Sequence, residues 1–349
     1  MRILENQSLA AFTTFGIGGP ARYFVVAETE DEIVAATAWA AERKIPLFVL
    51  GGGSNLLVAD SGFDGLVLKI GLRGIEAASD GADKTTYRVG AGEDWDQFVQ
   101  RTVEDGCAGL ECLAGIPGTV GGTPVQNVGA YGQEVSAAIA RVRAFDLKER
   151  VFVGFSAEEC GFAYRHSRFN AADRGRFIVT RVDYRLIPGG AATVGYADLQ
   201  RAVAKRNAAG KELNLVEIAE VVRQVRQLKG MLLVEGDPDC RSAGSFFKNP
   251  VIGKELLPQI ARSAGKEPPH YAAGNGCVKV PAAWLIEQAG FSRGFAKGAA
   301  GVSSRHTLAL INRGNATASE IVALADEIRE TVETRFGIRL AMEPVMVGF

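Results

Sequence analysis

The chain has 349 residues, with 39 Lys and Arg against 40 Asp and Glu, and 23% of its residues charged. That balance argues against a protein held to nucleic acid or to a membrane surface by net positive charge, and no apolar run reaches the length of a membrane span. A hydrophobic fraction of 47% suits an ordinary folded protein with room for two or three compact domains.

The first residues, Met1 to Gln7, lack the apolar centre of a signal peptide, so a cytoplasmic protein is expected. A strand is predicted from Arg22 to Ala27. Thr29-Glu30-Asp31-Glu32 then forms a capping box for a helix with Ile33, Ala36 and Ala40 on one face. Pro46 to Leu50 is a short apolar strand running into Gly51-Gly52-Gly53-Ser54-Asn55, and Leu66 to Ile70 and Tyr87 to Ala91 are further strands. A helix follows with Trp95, Phe98, Val99 and Thr102 facing inward. Val142 to Leu147 and Phe177 to Leu186 are strands, the second setting Ile178, Thr180, Val182, Tyr184 and Leu186 against Arg181, Asp183 and Arg185.

Near residue 200 the pattern changes. Leu199 to Asn207 and Leu215 to Lys229 are predicted helices, with the charged stretch Lys205 to Lys211 as a joint. Ser245 to Asn249 reads as extended, Pro281 to Ala289 as a helix and Val302 to Ile311 as a strand with a polar middle. A second capping box, Thr317-Ala318-Ser319-Glu320, opens a helix carrying Ile321, Leu324, Ala325, Ile328 and Val332, and Ile338 to Val347 closes the chain as a strand. The order predicts an α/β-type unit to about residue 200 and an α+β unit after it. Cys107, Cys112, Cys160, Cys240 and Cys277 form no C-x-x-C pair and read as free thiols. His166, His270 and His306 stand too far apart for an evident metal cluster, so no metal is expected.

The densest signal is the run from Gly115 to Gly132, in which six glycines and two prolines fall within eighteen residues. Glycine permits positive φ and close approach of backbone to a ligand, and free backbone amides in such a run suit phosphate oxygens. Gly51 to Asn55 adds consecutive amides and two polar side chains directly after a strand. Gly16-Ile17-Gly18-Gly19-Pro20-Ala21 fits the loose dinucleotide pattern G-x-G-x-x-A, but a strand-like segment follows it instead of a helix, so it is set aside. Two glycine loops without that fingerprint predict a bulky diphosphate ligand held by loops; two unrelated tight turns are the plain alternative.

Gly51 to Leu57 and Gly115 to Gly132 resemble the flavin-binding loops of the UDP-N-acetylenolpyruvoylglucosamine reductase (MurB) family, and Thr13 to Gly19 resembles its N-terminal signature. Tyr164-Arg165-His166-Ser167-Arg168-Phe169 resembles the family's Y-R-x-S-x-F segment, Gly244 to Pro250 its G-S-F-F-K-N-P segment, and Glu343 aligns with its C-terminal glutamate. The resemblance spans nearly the whole chain. It implies an α+β protein: an FAD-binding domain of two α/β subdomains, with the vanillyl-alcohol-oxidase-like flavin fold, over residues 1–200, and an α+β substrate-binding domain over 201–349 whose last strand carries the catalytic Glu343.

The resemblance further implies non-covalent FAD at Gly51, Gly52, Gly53, Ser54, Asn55, Leu56, Ile116, Pro117, Gly118, Thr119, Gly121, Gly122, Asn127, Gly129, Ala130 and Ile178. NADPH is the implied co-substrate and UDP-N-acetylglucosamine enolpyruvate the implied substrate, reduced to UDP-N-acetylmuramate by a monomer that needs neither nucleic acid nor membrane. Hydride from reduced FAD would reach the enolpyruvyl group, Arg165 would hold the charge developing on the carboxylate, Glu343 would bond its other oxygen, and Ser245 would protonate the adjacent carbon. Tyr196, Arg226, Lys229 and Asn249 are the implied substrate contacts, with Tyr196 on a closing loop. Taken singly, Arg165 also reads as a surface ion-pair partner, Ser245 as a turn hydroxyl and Glu343 as a solvated strand residue.

Two features depart from the commoner pattern. The link Gly230 to Pro238 is longer than the tyrosine-loop subclass predicts, and Val345 stands where the family often has a basic residue, so no flavin contact is assigned there. His306 lies where a polar substrate contact is expected and is left unassigned. Another FAD-linked oxidoreductase of the same flavin-binding fold would share the glycine loops without needing the Ser, Arg and Glu set. A flavin-free nucleotide-sugar sensor is the alternative from a different class, and a colourless preparation would identify it.

Overall fold

The computed structural model describes residues 1–81, 83–206 and 212–349. The chain folds into two compact units, neither continuous in sequence. One comprises Met1–Gln7, Ala21–Gly53 and Asp64–Gln227; the other comprises Ser8–Pro20, Ser54–Phe63 and Leu228–Phe349. The divide expected at residue 200 falls inside the first unit, and 207–211, most of the expected joint, lie outside the described residues.

The first unit is built on two sheets. Strands Leu4–Ser8, Pro20–Ala27, Phe63–Ile70 and Leu47–Leu50 lie side by side in that order, and the last two run parallel, with Leu47 opposite Leu66. Helix Glu30–Glu42 returns the chain between the second of these strands and Leu47–Leu50. Its N-cap Thr29 accepts the Glu32 N–H, and Ile33, Ala36 and Ala40 are buried as the sequence pattern predicts. The larger sheet orders Val151–Ser156, Ile139–Asp146, Phe177–Pro188, Thr85–Gly90 and Ile75–Ser79, all antiparallel, with Cys107–Ala108 paired to the far end of the long strand. In that strand Ile178, Thr180, Val182, Tyr184 and Leu186 are buried as expected. Trp95 and Phe98, on helix Trp95–Glu104, pack their rings 5.8 and 5.1 Å from that of Tyr184, which fixes the helix on the sheet. Ile75–Ser79 is exposed along its whole length, so no alternation marks it in the sequence.

The second unit carries two three-stranded antiparallel sheets. One orders Val251–Gly253, Cys277–Lys279 and Tyr271–Ala272; the other orders Ala296–Lys297, Ala300–Val302 and Leu310–Asn312. Helices Leu257–Ala264, Ala282–Gln288 and Ala318–Phe336 accompany them. The longest has the predicted capping box, Thr317 and Glu320 each bonding the other's backbone, and the Asp60 carboxylate accepts the Ala318 and Ser319 amides at 2.7 and 3.0 Å. A carboxylate there satisfies orphan donors and complements the helix dipole.

Three expectations change, and one helix is added. Val302 to Ile311 is a hairpin instead of one strand, because its polar middle turns the chain between Ala300–Val302 and Leu310–Asn312. The final strand is only Val345–Val347, paired parallel to Leu56–Val58, so Glu343 precedes the strand. Helix Leu215–Leu228 ends one residue before Lys229. Helix Leu257–Ala264 escapes the sequence pattern because Pro258 reads as a break, yet it lies in the first turn, where no intrahelical N–H is needed.

Candidate active site

In the first unit the two glycine loops meet backbone to backbone. A Cβ on Gly52 would lie 2.5 Å from Gly118 Cα, and one on Gly51 would lie 3.0 Å from Thr119 Oγ1. Gly118, at φ 134°, occupies backbone that side chains rarely adopt. The amides of Val120, Gly121 and Gly122 donate to Glu93, Ala91 and Thr119 carbonyls, which pins the run to the sheet. Those of Gly52, Gly53, Gly118 and Thr119 donate to nothing among the described residues. Thr119 Oγ1 is also buried with no hydrogen-bond partner. A buried polar atom without a partner is costly. An unpartnered hydroxyl beside undonated amides is the chemistry that phosphate oxygens satisfy, so the loops fit a diphosphate cofactor. Ile178 lies buried in the adjoining sheet core, and Pro117 and Ile116 are half-buried in the run.

The same run organises the cations. Arg165 sits in a tight turn closed by reciprocal bonds between Ala163 and His166, each 3.0 Å. Its φ of 53° is unusual for a side-chain-bearing residue. Its Nη2 donates to the Gly129 carbonyl at 2.7 Å, and a Cβ on Gly129 would lie 3.3 Å from its Nη1. Buried Asn127 ties the parts together: its Nδ2 donates to Glu134 and to the Ala163 carbonyl, both at 2.9 Å. Arg226 Nε donates to the Gly115 carbonyl at 3.0 Å, while the Gly115 amide donates to Asp96. Burial pushes the Arg226 guanidinium below its usual range, opposed by Tyr131 and Asp96. Exposed Tyr196 lays its ring edge-on to Tyr131, centroids 6.0 Å apart. Tyr131 lies within the run that the sequence marks but is given no contact of its own there.

The second unit brings Ser245 and Glu343 onto adjoining backbone. The Glu343 amide donates to the Phe246 carbonyl at 2.9 Å, the Lys248 amide to Ala341 at 2.9 Å, and Phe247 bridges Met342. Buried Phe246 and Phe247 anchor this segment in the core, leaving Ser245 half-buried beside them. The other half of the first glycine loop joins here: Asn55 Nδ2 donates to the Glu343 carbonyl at 3.4 Å, and the Asn55 carbonyl accepts the Val345 amide at 2.9 Å. Ser54 and Leu56 flank Asn55, Leu56 opening the strand paired to Val345–Val347. Asn249 Oδ1 accepts the Ala282 amide at 2.9 Å, so it also caps helix Ala282–Gln288.

The long link after Gly230 has a structural use. Asp239 accepts the Ser304 amide at 3.0 Å and Arg305 Nε at 2.8 Å, and Asp237 pairs with the same guanidinium. This clamp holds the loop bearing His306. Burial and then nearby Lys229 push the His306 imidazole down to about 4, leaving it neutral at pH 7. The set-aside motif Gly16 to Ala21 leads into a strand; the Gly19 amide donates to the Ala59 carbonyl at 2.9 Å, and Phe15 and Ile17 are buried in the second unit's core.

Comparison with known proteins agrees with this geometry. Residues 21–152 match the FAD binding domain family and residues 237–347 the C-terminal domain of UDP-N-acetylenolpyruvoylglucosamine reductase. A protein of that name from Streptomyces coelicolor is 46% identical, the match covering 99% of this chain and 90% of that one. The chain belongs to the UDP-N-acetylenolpyruvoylglucosamine reductase family. The Thermobifida fusca member is 43% identical over 99% of this chain and 98% of its own. The crystal structure of the Thermus caldophilus member superposes with a TM-score of 0.66 at 28% identity, covering 99% of both chains. A flavin domain followed by the family's C-terminal domain makes this member an FAD-linked oxidoreductase. Among the described residues no helix is long and apolar enough to cross a membrane.

Proposed function

We propose that this chain reduces UDP-N-acetylglucosamine enolpyruvate to UDP-N-acetylmuramate with NADPH, supplying a peptidoglycan precursor in the cytoplasm as a monomer that needs no nucleic acid. The observation that carries the reading is the pairing of the Ser245 and Glu343 segments in one hydrogen-bonded stretch of the second unit. A simple flavin-binding module would have no need to fix a hydroxyl and a carboxyl on adjoining backbone. Bound FAD supplies the two-electron relay between NADPH and the enolpyruvyl double bond.

The chain's own residues then handle charge and proton. Arg165 offers a permanently charged fork to the substrate carboxylate as negative charge develops on it. It is a poor acid, because arginine stays protonated. Glu343, when protonated, donates to the second carboxylate oxygen. Ser245 gives its hydroxyl proton to the carbon beside the carboxylate, a step open to a weak acid when the acceptor is strongly basic and the donor is held in place. Arg226 and Lys229 balance the pyrophosphate, Asn249 bonds the sugar nucleotide, and Tyr196 closes over it to exclude water.

The test is Ser245→Ala, read by stopped-flow absorbance of the two half-reactions. Flavin reduction by NADPH stays near the wild-type rate, while reoxidation by the enolpyruvyl substrate slows by about 10²- to 10⁴-fold. Equal slowing of both halves would remove the proton-donor role.

A further inference from the structure

Strands Gly129–Ala130 and Gln133–Glu134 pair with Ala130 opposite Gln133, leaving Tyr131 and Gly132 as a two-residue hairpin turn. Both central residues have positive φ, 50° and 88°. That is the signature of a type I′ turn, whose first position is ordinarily filled by Asn, Asp or Gly. A bulky aromatic residue there is a genuine outlier, and such local strain tends to be kept where it serves a function. Tyr131 makes two contacts that Asn would not. Its ring receives the edge of Tyr196, at 6.0 Å and 80° between planes. Its phenol also faces the Arg226 guanidinium, opposing the downward push of burial on that group, and Arg226 grips the Gly115 carbonyl at the start of the run.

From these contacts we infer that Tyr131 is a positioning residue: it seats the Tyr196 segment against the glycine run and, through Arg226, joins that segment to the run's two ends. The strained turn sets the ring where Tyr196 comes to rest, so part of the ordering that substrate binding requires is already done in the free enzyme. The inference rests on the reading of Tyr196 as a substrate contact, and two measurements keep the two separate.

In the FAD-loaded enzyme, Tyr131→Asn relieves the turn and deletes the ring, while Tyr131→Phe keeps the ring and deletes the phenol oxygen. Hydrogen–deuterium exchange is followed over residues 190–206. Asn raises exchange there about three- to tenfold, the range expected for loss of one aromatic pair, and Phe restores protection. The Asn variant unfolds at no lower temperature than wild type, which separates a lost seat from a damaged fold. KM for the enolpyruvyl substrate rises by a similar factor in Asn, with flavin reduction by NADPH within about twofold of wild type. Unchanged exchange at 190–206 in Tyr131→Asn, or a Phe variant as exposed as Asn, overturns the seat. Should Tyr196→Ala leave KM unchanged, the substrate role of Tyr196 falls, and the exchange data still decide the seat.

Discussion

Thr119 states the residue-scale logic of the first unit most directly. Its hydroxyl is buried and unpartnered, a destabilising arrangement that a bound phosphate oxygen would reverse. Thr119→Val keeps the shape and removes the orphan. The flavin-free protein is then as stable as wild type or more so, while FAD binds about tenfold more weakly, roughly the worth of one hydrogen bond to a charged group. Thermal unfolding of the flavin-free protein and a fluorescence titration with FAD check both halves; a less stable Val apoprotein would contradict the assignment. Asn127, Tyr131 and Arg165 share a second residue-scale feature, left-handed φ at 42°, 50° and 53°. The resemblance to the family nominates Asn127 and Arg165; Tyr131 lies in the same run, but its strain is a property of backbone geometry that residue order does not show.

At the scale of elements, one carboxylate ties helix Glu30–Glu42 to the larger sheet, through strands Ile139–Asp146 and Phe177–Pro188. Glu30 accepts Arg143 Nε and Nη2 at 2.8 and 2.9 Å and the Thr180 hydroxyl at 2.9 Å. Arg143 first, with Thr180 adding to it, holds the Glu30 carboxyl below its usual range against the opposing effect of burial. Both partners are about a third exposed (34% and 35%), so solvent screens the pair. Glu30→Gln therefore lowers stability by about 1 kcal/mol, read as a shift in the urea midpoint at unchanged slope. The N-cap Thr29 that opens this helix was legible in the sequence; the expected capping box closes differently, Glu32 Oε2 accepting the Glu28 amide at 2.8 Å. The clasp of Glu30 on Arg143 and Thr180 was not legible, since those partners lie 113 and 150 residues away. Short-range pattern also found helix Ala318–Phe336 with its cap, and missed the turn between Ala300–Val302 and Leu310–Asn312, where apolar residues at both ends imitate one strand.

For the whole molecule, depressed carboxylates set the acid limit of stability. Arg176 first, then the Glu149 and Lys148 amides, hold Asp146 down to about 2. In the second unit Asp60 is also held low: burial opposes this, and the Ser319 hydroxyl with the Ala318 and Ser319 amides outweighs it. A folded-state value below the unfolded one means that the folded protein binds fewer protons, so stability rises with pH through that window. The Asp146 contribution is present in full above about pH 4 and is lost as pH falls through about 2. Asp146→Asn should be destabilised by about 1–3 kcal/mol at pH 7, with the gap to wild type closing as pH falls, in urea unfolding across that range. A gap independent of pH would assign the loss to packing.

The sequence by itself determined the chemistry on offer and the local frames that carry it: two glycine loops, the first directly after a recognisable strand, an arginine, a serine and a glutamate in family-like segments, and helices announced by their caps. These depend on neighbours in the chain, through φ preferences, hydrogen bonds three or four residues apart and apolar spacing. Only the tertiary structure decided which pieces belong together. Ser8–Pro20 and Ser54–Phe63 join the C-terminal unit, Val345–Val347 pairs with Leu56–Val58, and Tyr131 meets Tyr196 and Arg226. Those associations form between surfaces far apart in sequence, where burial and backbone pairing reward contact and no short-range pattern records the partner.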